Sequence, residues 1–268
     1  MIRFLSIWAI GFELAGGAAW AAKSPETAPF ESLLARTEHR IEEFWDQFSA
    51  VTCTETVEQE KLGDNGKMLI KRRSAYDYLV LLLLSGGDLT VQESRILKGK
   101  AAKESDRALL STSGFSTLVL IFHPHFRDSF TFTEEGADPA TPALHRVHFA
   151  HIQGKRSPSV LQLRSRDYPI EWQGTAWIDS ATGNIARIQA ALEASLADIG
   201  LQKLESEVIY GPVTFAGVSD PPWMPSSASI EADTVHQHWR NVHTFTGYKQ
   251  FSVSTDSKTE SPTETQQQ

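Results

Sequence analysis

The chain has 268 residues, 41% hydrophobic and 22% charged, a composition that suits a folded protein of one or two domains. A net charge of −8, with only small basic groups such as Lys98, Lys100 and Lys103, argues against nucleic acid as a general partner, because neutralising phosphates needs clustered Lys and Arg. The single cysteine, Cys53, excludes an internal disulfide framework.

Residues 1–21 read as a secretory signal peptide. Arg3 precedes an apolar run from Phe4 to Leu14, broken by Glu13, and Ala19-Trp20-Ala21 offers small residues for cleavage. The run is shorter than the ~20 residues of a membrane span. Arg3 and Glu13 cancel, so the mature chain keeps its acidic charge. The expectation is an exported, periplasmic protein with one β-rich domain over 22–254 and a polar, disordered tail over 255–268.

The clearest helix comes first. Phe30, Leu33, Leu34, Ile41, Phe44, Trp45 and Phe48 recur at helical spacing, opposite Glu38, Arg40, Glu42, Glu43 and Asp46. Strands are expected over 51–62 and 67–84 around the turn Gly63-Asp64-Asn65-Gly66, then over 89–97. Cys53 reads there as a small buried hydrophobe. Residues 114–124 (GFSTLVLIFHP) fit a short helix stopped by Pro124 or a further strand. Strand patterns follow at 128–134, 145–153, 159–166, 171–179, 184–196, 203–211, 228–239 and 241–254. Sequence-adjacent turns between long strands suggest an antiparallel meander.

The stretch 174–192 (GTAWIDSATGNIARIQAAL) predicts a hairpin. A loop of Ala181-Thr182-Gly183 opposes Ile178 to Ala186, Ala176 to Ile188, Gly174 to Ala190 and Trp172 to Leu192 on one apolar face. A four-residue loop would instead oppose Ile178 to Ile185 and scatter the apolar residues. In the preferred register Trp177 faces Arg187 on the other side, as a cation–π pair. The small residues on the apolar face leave room, either for the N-terminal helix to pack on them or for an apolar cavity.

An exported chain with an amphipathic helix followed by a long meander resembles the LolA-like superfamily of cell-envelope lipoprotein carriers. The residues that carry the resemblance are GTAWIDSATGNIARIQ and the later WMPSSASIE and HTFTGYKQFSV. The resemblance implies an α+β fold. Its antiparallel meander forms a half-open barrel, with the concave face covered by the N-terminal amphipathic helix and a short second helix. It also implies a cavity for acyl chains. The lining candidates are Phe44, Trp45, Trp172, Ile178, Ile188 and Leu192.

No nucleophile elbow, phosphate loop or His-Glu-x-x-His motif is present, and the acidic residues form no evident pair. The expected function is therefore non-catalytic: a monomeric carrier of lipid, acyl chains or lipoprotein, without a cofactor, with an envelope protein as a further partner. The nine histidines supply the alternative, a metal-binding protein or metalloenzyme using His236 and His238, taken as two residues apart on one strand face. An envelope scaffold or sensor that binds through a sheet edge is the third reading.

Overall fold

The apolar stripe of the N-terminal segment forms α1 (Thr27–Phe48), with Leu33, Leu34, Ile41, Phe44 and Phe48 all buried. The computed structural model describes residues 27–63, 65–85, 88–99, 112–163 and 166–251. The expected signal peptide at 1–21 and tail at 255–268 lie outside the described residues.

The strands are β1 (Val51–Leu62), β2 (Met68–Ser85), β3 (Asp88–Leu97), β4 (Phe130–Ala137), β5 (Leu144–His151), β6 (Val160–Leu163), β7 (Arg166–Pro169), β8 (Trp172–Asp179), β9 (Ile185–Leu192), β10 (Leu201–Pro212), β11 (Trp223–Thr234) and β12 (His238–Gln250). Ten of them form one antiparallel sheet in the order β3-β2-β1-β12-β11-β10-β9-β8-β5-β4, while β6 and β7 pair separately. The sheet does not close on itself, and the architecture is the expected open α+β half-barrel. The pairing of β1 with β12 joins the first strand to the last, and β3 and β4 stand at the two edges of the ten-strand order.

Residues 114–124, open between helix and strand from sequence, form a 3₁₀ helix (Phe115–Phe122) entered through Gly114 at φ 81. Every residue from Ser116 to Phe122 is buried. A segment apolar all round needs cover on all sides, and this one lies against α1 and strands β9, β10 and β11. Pro124 does stop it, and also opens a second 3₁₀ helix (Pro124–Ser129).

The 174–192 hairpin corrects both candidate registers. Trp172, Gly174 and Ala176 face Leu192, Ala190 and Ile188 as the three-residue loop predicts, but a bulge follows Trp177 and Ile178 then faces Ile185. The extra residue on β9 lets Ala176, Ile178, Ile185 and Ile188 all reach the core, at 0 to 1% exposure. The turn is sealed from within: Asp179 Oδ1 accepts from the amides of Ala181 and Thr182 and from the Thr182 hydroxyl. Gly183, at φ +80, packs where a Cβ would lie 2.8 Å from the backbone of Arg36 in α1. Arg36 and Arg40 in turn donate to the carbonyls of Ser180 and Thr182. Gly174 admits no side chain, because a Cβ there would sit 1.9 Å from the Gln189 carbonyl oxygen of the neighbouring strand.

The strand expected over 228–239 is also corrected. Thr234 Oγ1 accepts from the amides of His236 and Gln237 and donates to the Gln237 carbonyl. This local bonding reverses the chain between β11 and β12. His236 therefore lies in the turn and His238 opens the next strand, not on one strand face.

Candidate functional site

The space over the β8–β9 floor is filled. Leu118, Val119, Leu120, Ile121 and Phe122 join one core with Phe44, Ile178 and Ile188. Only about 10 Å³ remains between Ile41, Phe44, Val119, Ile185 and Tyr210. That is at the lower limit for a single water.

The open space lies elsewhere. A cavity of about 560 Å³ runs between the edge strand β3 and the start of β8, which stand first and eighth in the ten-strand order. Its apolar wall is Leu89, Val91, Phe115, Ile170 and Trp172, with Ser113, Ser157 and Ser159 among its polar lining. Alternation explains the β3 side: Leu89, Val91 and Glu93 point inward while Thr90, Gln92 and Ser94 are exposed. The far wall is held by Ser157 Oγ, which donates to the carbonyls of Ile170 and Ser159 at 2.7 and 3.0 Å. Phe115 and Trp172 meet edge to face at 6.1 Å. Trp172 is 1% exposed, and its Nε1 is buried without an acceptor among the described residues.

No protein-family model matches the chain, and no curated protein matches it. The fold is similar to the crystal structure of an outer membrane lipoprotein-sorting protein domain from Vibrio parahaemolyticus, with a TM-score of 0.38 and 9% identity over 86% of this chain and 94% of that one. Neither value carries a function across.

Behind the β3 wall lies a buried polar cluster. Glu93, a cavity-lining residue, accepts from the Gly114 amide and the Tyr78 hydroxyl, each at 2.8 Å. Arg95 bonds Glu93 at 2.6 Å and grips both oxygens of Glu55 at 2.6 and 3.0 Å. Glu55 is fully buried, and its other neighbour is His243 Nδ1 at 2.7 Å. Burial alone would raise the Glu55 carboxyl; the hydrogen bonds from His243 and Arg95, with the Arg95 charge, outweigh burial and hold it below the usual carboxylate range. On the other side of the imidazole, Nε2 meets the Thr112 hydroxyl at 2.8 Å.

Of the six candidates named from sequence, Trp172 lines the cavity. Phe44, Ile178 and Ile188 are buried in the filled core, with Leu192 and Trp45 partly buried against it. Trp45 also tilts against His123, with ring centroids 5.5 Å apart. His238 faces Asp233 at 3.1 Å and Glu231 at 4.0 Å. Among the described residues no group of three or more His, Cys, Asp or Glu is arranged to hold a metal ion. Sequence reasoning missed Leu89 and Val91 of β3, Phe115 of the first 3₁₀ helix and Ile170 after β7, three separate stretches of chain, and the Glu55–His243–Thr112 contacts, which join residues more than 50 apart.

A second concavity of about 580 Å³ lies on the opposite face of the sheet. Gln173, Thr175, Gln189, Glu205, Glu207 and His148 line it beside Gly174, Ala190 and Ala191, so it presents no large apolar side chain. Arg187 lies over the Trp177 ring on this face, at 3.6 Å from the centroid, as the hairpin register implies.

Proposed function

We propose that the protein is a binding or carrier protein that holds the acyl portion of a lipid or lipoprotein in the cavity between β3 and β8. The observation that carries this reading is the cavity of about 560 Å³ with its aromatic and aliphatic wall and hydroxyl-bearing residues. The volume falls within the ~300–1,000 Å³ range of small-molecule sites. An apolar chain would lie against Leu89, Val91, Phe115 and Trp172, with its polar end near Ser157 and Ser159. Each buried methylene contributes ~0.8 kcal/mol. About ten would supply the ~8 kcal/mol of a micromolar complex before the costs of association. The proposed setting is the cell envelope, in keeping with the leader-like residues 1–21; no described helix is long and apolar enough to cross a membrane.

Lipid extraction and native mass spectrometry of protein purified from its envelope test the proposal. The expected result is a co-purifying acyl lipid that is lost when Val91→Trp fills the cavity. Protein that is empty in every preparation and binds no fluorescent fatty acid would overturn it.

A further inference from the structure

Glu55, Thr112 and His243 come from β1, the segment before the first 3₁₀ helix and β12, and they form a continuous relay. Thr112 Oγ1 lies 2.8 Å from His243 Nε2, and His243 Nδ1 lies 2.7 Å from Glu55 Oε1. The hydrogen-bond roles follow from chemistry. An ionised carboxylate only accepts, so the proton of the neutral imidazole sits on Nδ1 and Nε2 presents its lone pair. Asn241 Nδ2 donates to Thr112 Oγ1 at 3.0 Å, which leaves the threonine hydrogen free to point at that lone pair. Arg95 clamps both Glu55 oxygens and so fixes the carboxylate that orients the ring. A hydroxyl, a base in hydrogen-bond reach and a third group orienting the base are the parts of an activated nucleophile.

We propose that Thr112 and His243 are catalytic residues of an ester-cleaving site, with Glu55 and Arg95 as positioning residues, acting on acyl esters bound in the adjoining cavity. The substrate class rests on the binding reading above, since Ser113 and Gly114, next along the chain from Thr112, line that cavity. Thr112 is 8% exposed and immediately precedes Ser113 of the cavity lining. In the first step Thr112 Oγ forms a bond to the ester carbonyl carbon and its proton moves to His243 Nε2. The ester C–O bond then breaks, and the leaving alkoxide takes that proton and departs as an alcohol. Water attacks the acyl-threonine, giving a proton to His243 that returns to Thr112 Oγ as the carboxylic acid leaves. No electrons are exchanged, and water is the co-reactant.

The test treats the purified full chain with a fluorescent alkylphosphonate and with nitrophenyl acetate and nitrophenyl octanoate. The expected result is one phosphonyl group per folded chain, mapped to Thr112. It is absent from Thr112→Val and His243→Gln and present in Thr112→Ser, which keeps the hydroxyl. Ester turnover falls at least ~100-fold in His243→Gln. In Glu55→Gln kcat falls with KM unchanged while the chain stays folded, and Glu55→Asp, which keeps the carboxylate, restores part of the loss; a merely structural role would not be rescued in this way. Folded protein that takes no phosphonate, or an adduct that persists in Thr112→Val, overturns the relay. Acetate and octanoate esters cleaved equally well, with Val91→Trp affecting neither, would overturn acyl binding in the cavity while the relay stands.

Discussion

Replacing Glu55 by Gln removes one negative charge from a site where it is completely buried and bonded by His243 and Arg95. Removing one partner from a buried ion pair costs about 3–5 kcal/mol, mostly because the other charge is left uncompensated. Arg95 is not left alone here, since Glu93 still bonds its Nη1 at 2.6 Å, so the lower end of that range, ~3 kcal/mol at neutral pH, is expected. The pH dependence has a definite sign. The carboxyl titrates lower in the folded chain than in the unfolded one, where a glutamate titrates near ~4.3. Its contribution is therefore fully present above ~4.3 and is lost as pH falls through the folded value. Urea unfolding of wild type and Glu55→Gln, from neutral pH down through the carboxylate range, measures the gap directly. A gap that stays constant across that window, or lies below ~0.5 kcal/mol at neutral pH as for a surface change, would refute the reasoning.

Gly174→Ala places a methyl group 1.9 Å from the Gln189 carbonyl oxygen, so β8 and β9 must part; a loss of about 1–3 kcal/mol in chemical unfolding is expected. Arg187→Ala removes the cation from the Trp177 ring on a partly exposed face, and should cost only ~0.5–1 kcal/mol in the same assay. Cys53 is 5% exposed, and burial pushes its thiol up to about 12. Thiol reagents should leave it untouched in the native chain at neutral pH and modify it fully in denaturant.

The expected α1 stripe and the main strand patterns match the described elements because each rests on a local period, 3.6 residues for Leu33, Leu34, Ile41 and Phe44, and 2 for β1 or β3. The bulge after Trp177 was not legible, since it exists to bring Ile178 and Ile185 into a core whose other walls are distant in sequence. The exposed turn at His236 was masked by a continuing strand-like pattern, although Thr234 carried the signal for reversal. At the candidate site only Trp172 was foreseen, because it lies on the strongest hairpin pattern; Leu89, Val91, Phe115 and Ile170 become one wall through the course of the open sheet.

By itself the sequence determined an α+β chain with an amphipathic leading helix, an antiparallel meander and a tight Thr182-Gly183 turn. These follow from side-chain periodicity and from backbone angles that only certain residues adopt. Tertiary structure alone decided that the buried 3₁₀ helix fills the floor beside Phe44 and Ile188, that the open space lies against β3, and that Glu55, His243 and Thr112 meet. The pairing of β1 with β12 brings His243 and Glu55 together, and no local pattern records which distant strands will become neighbours.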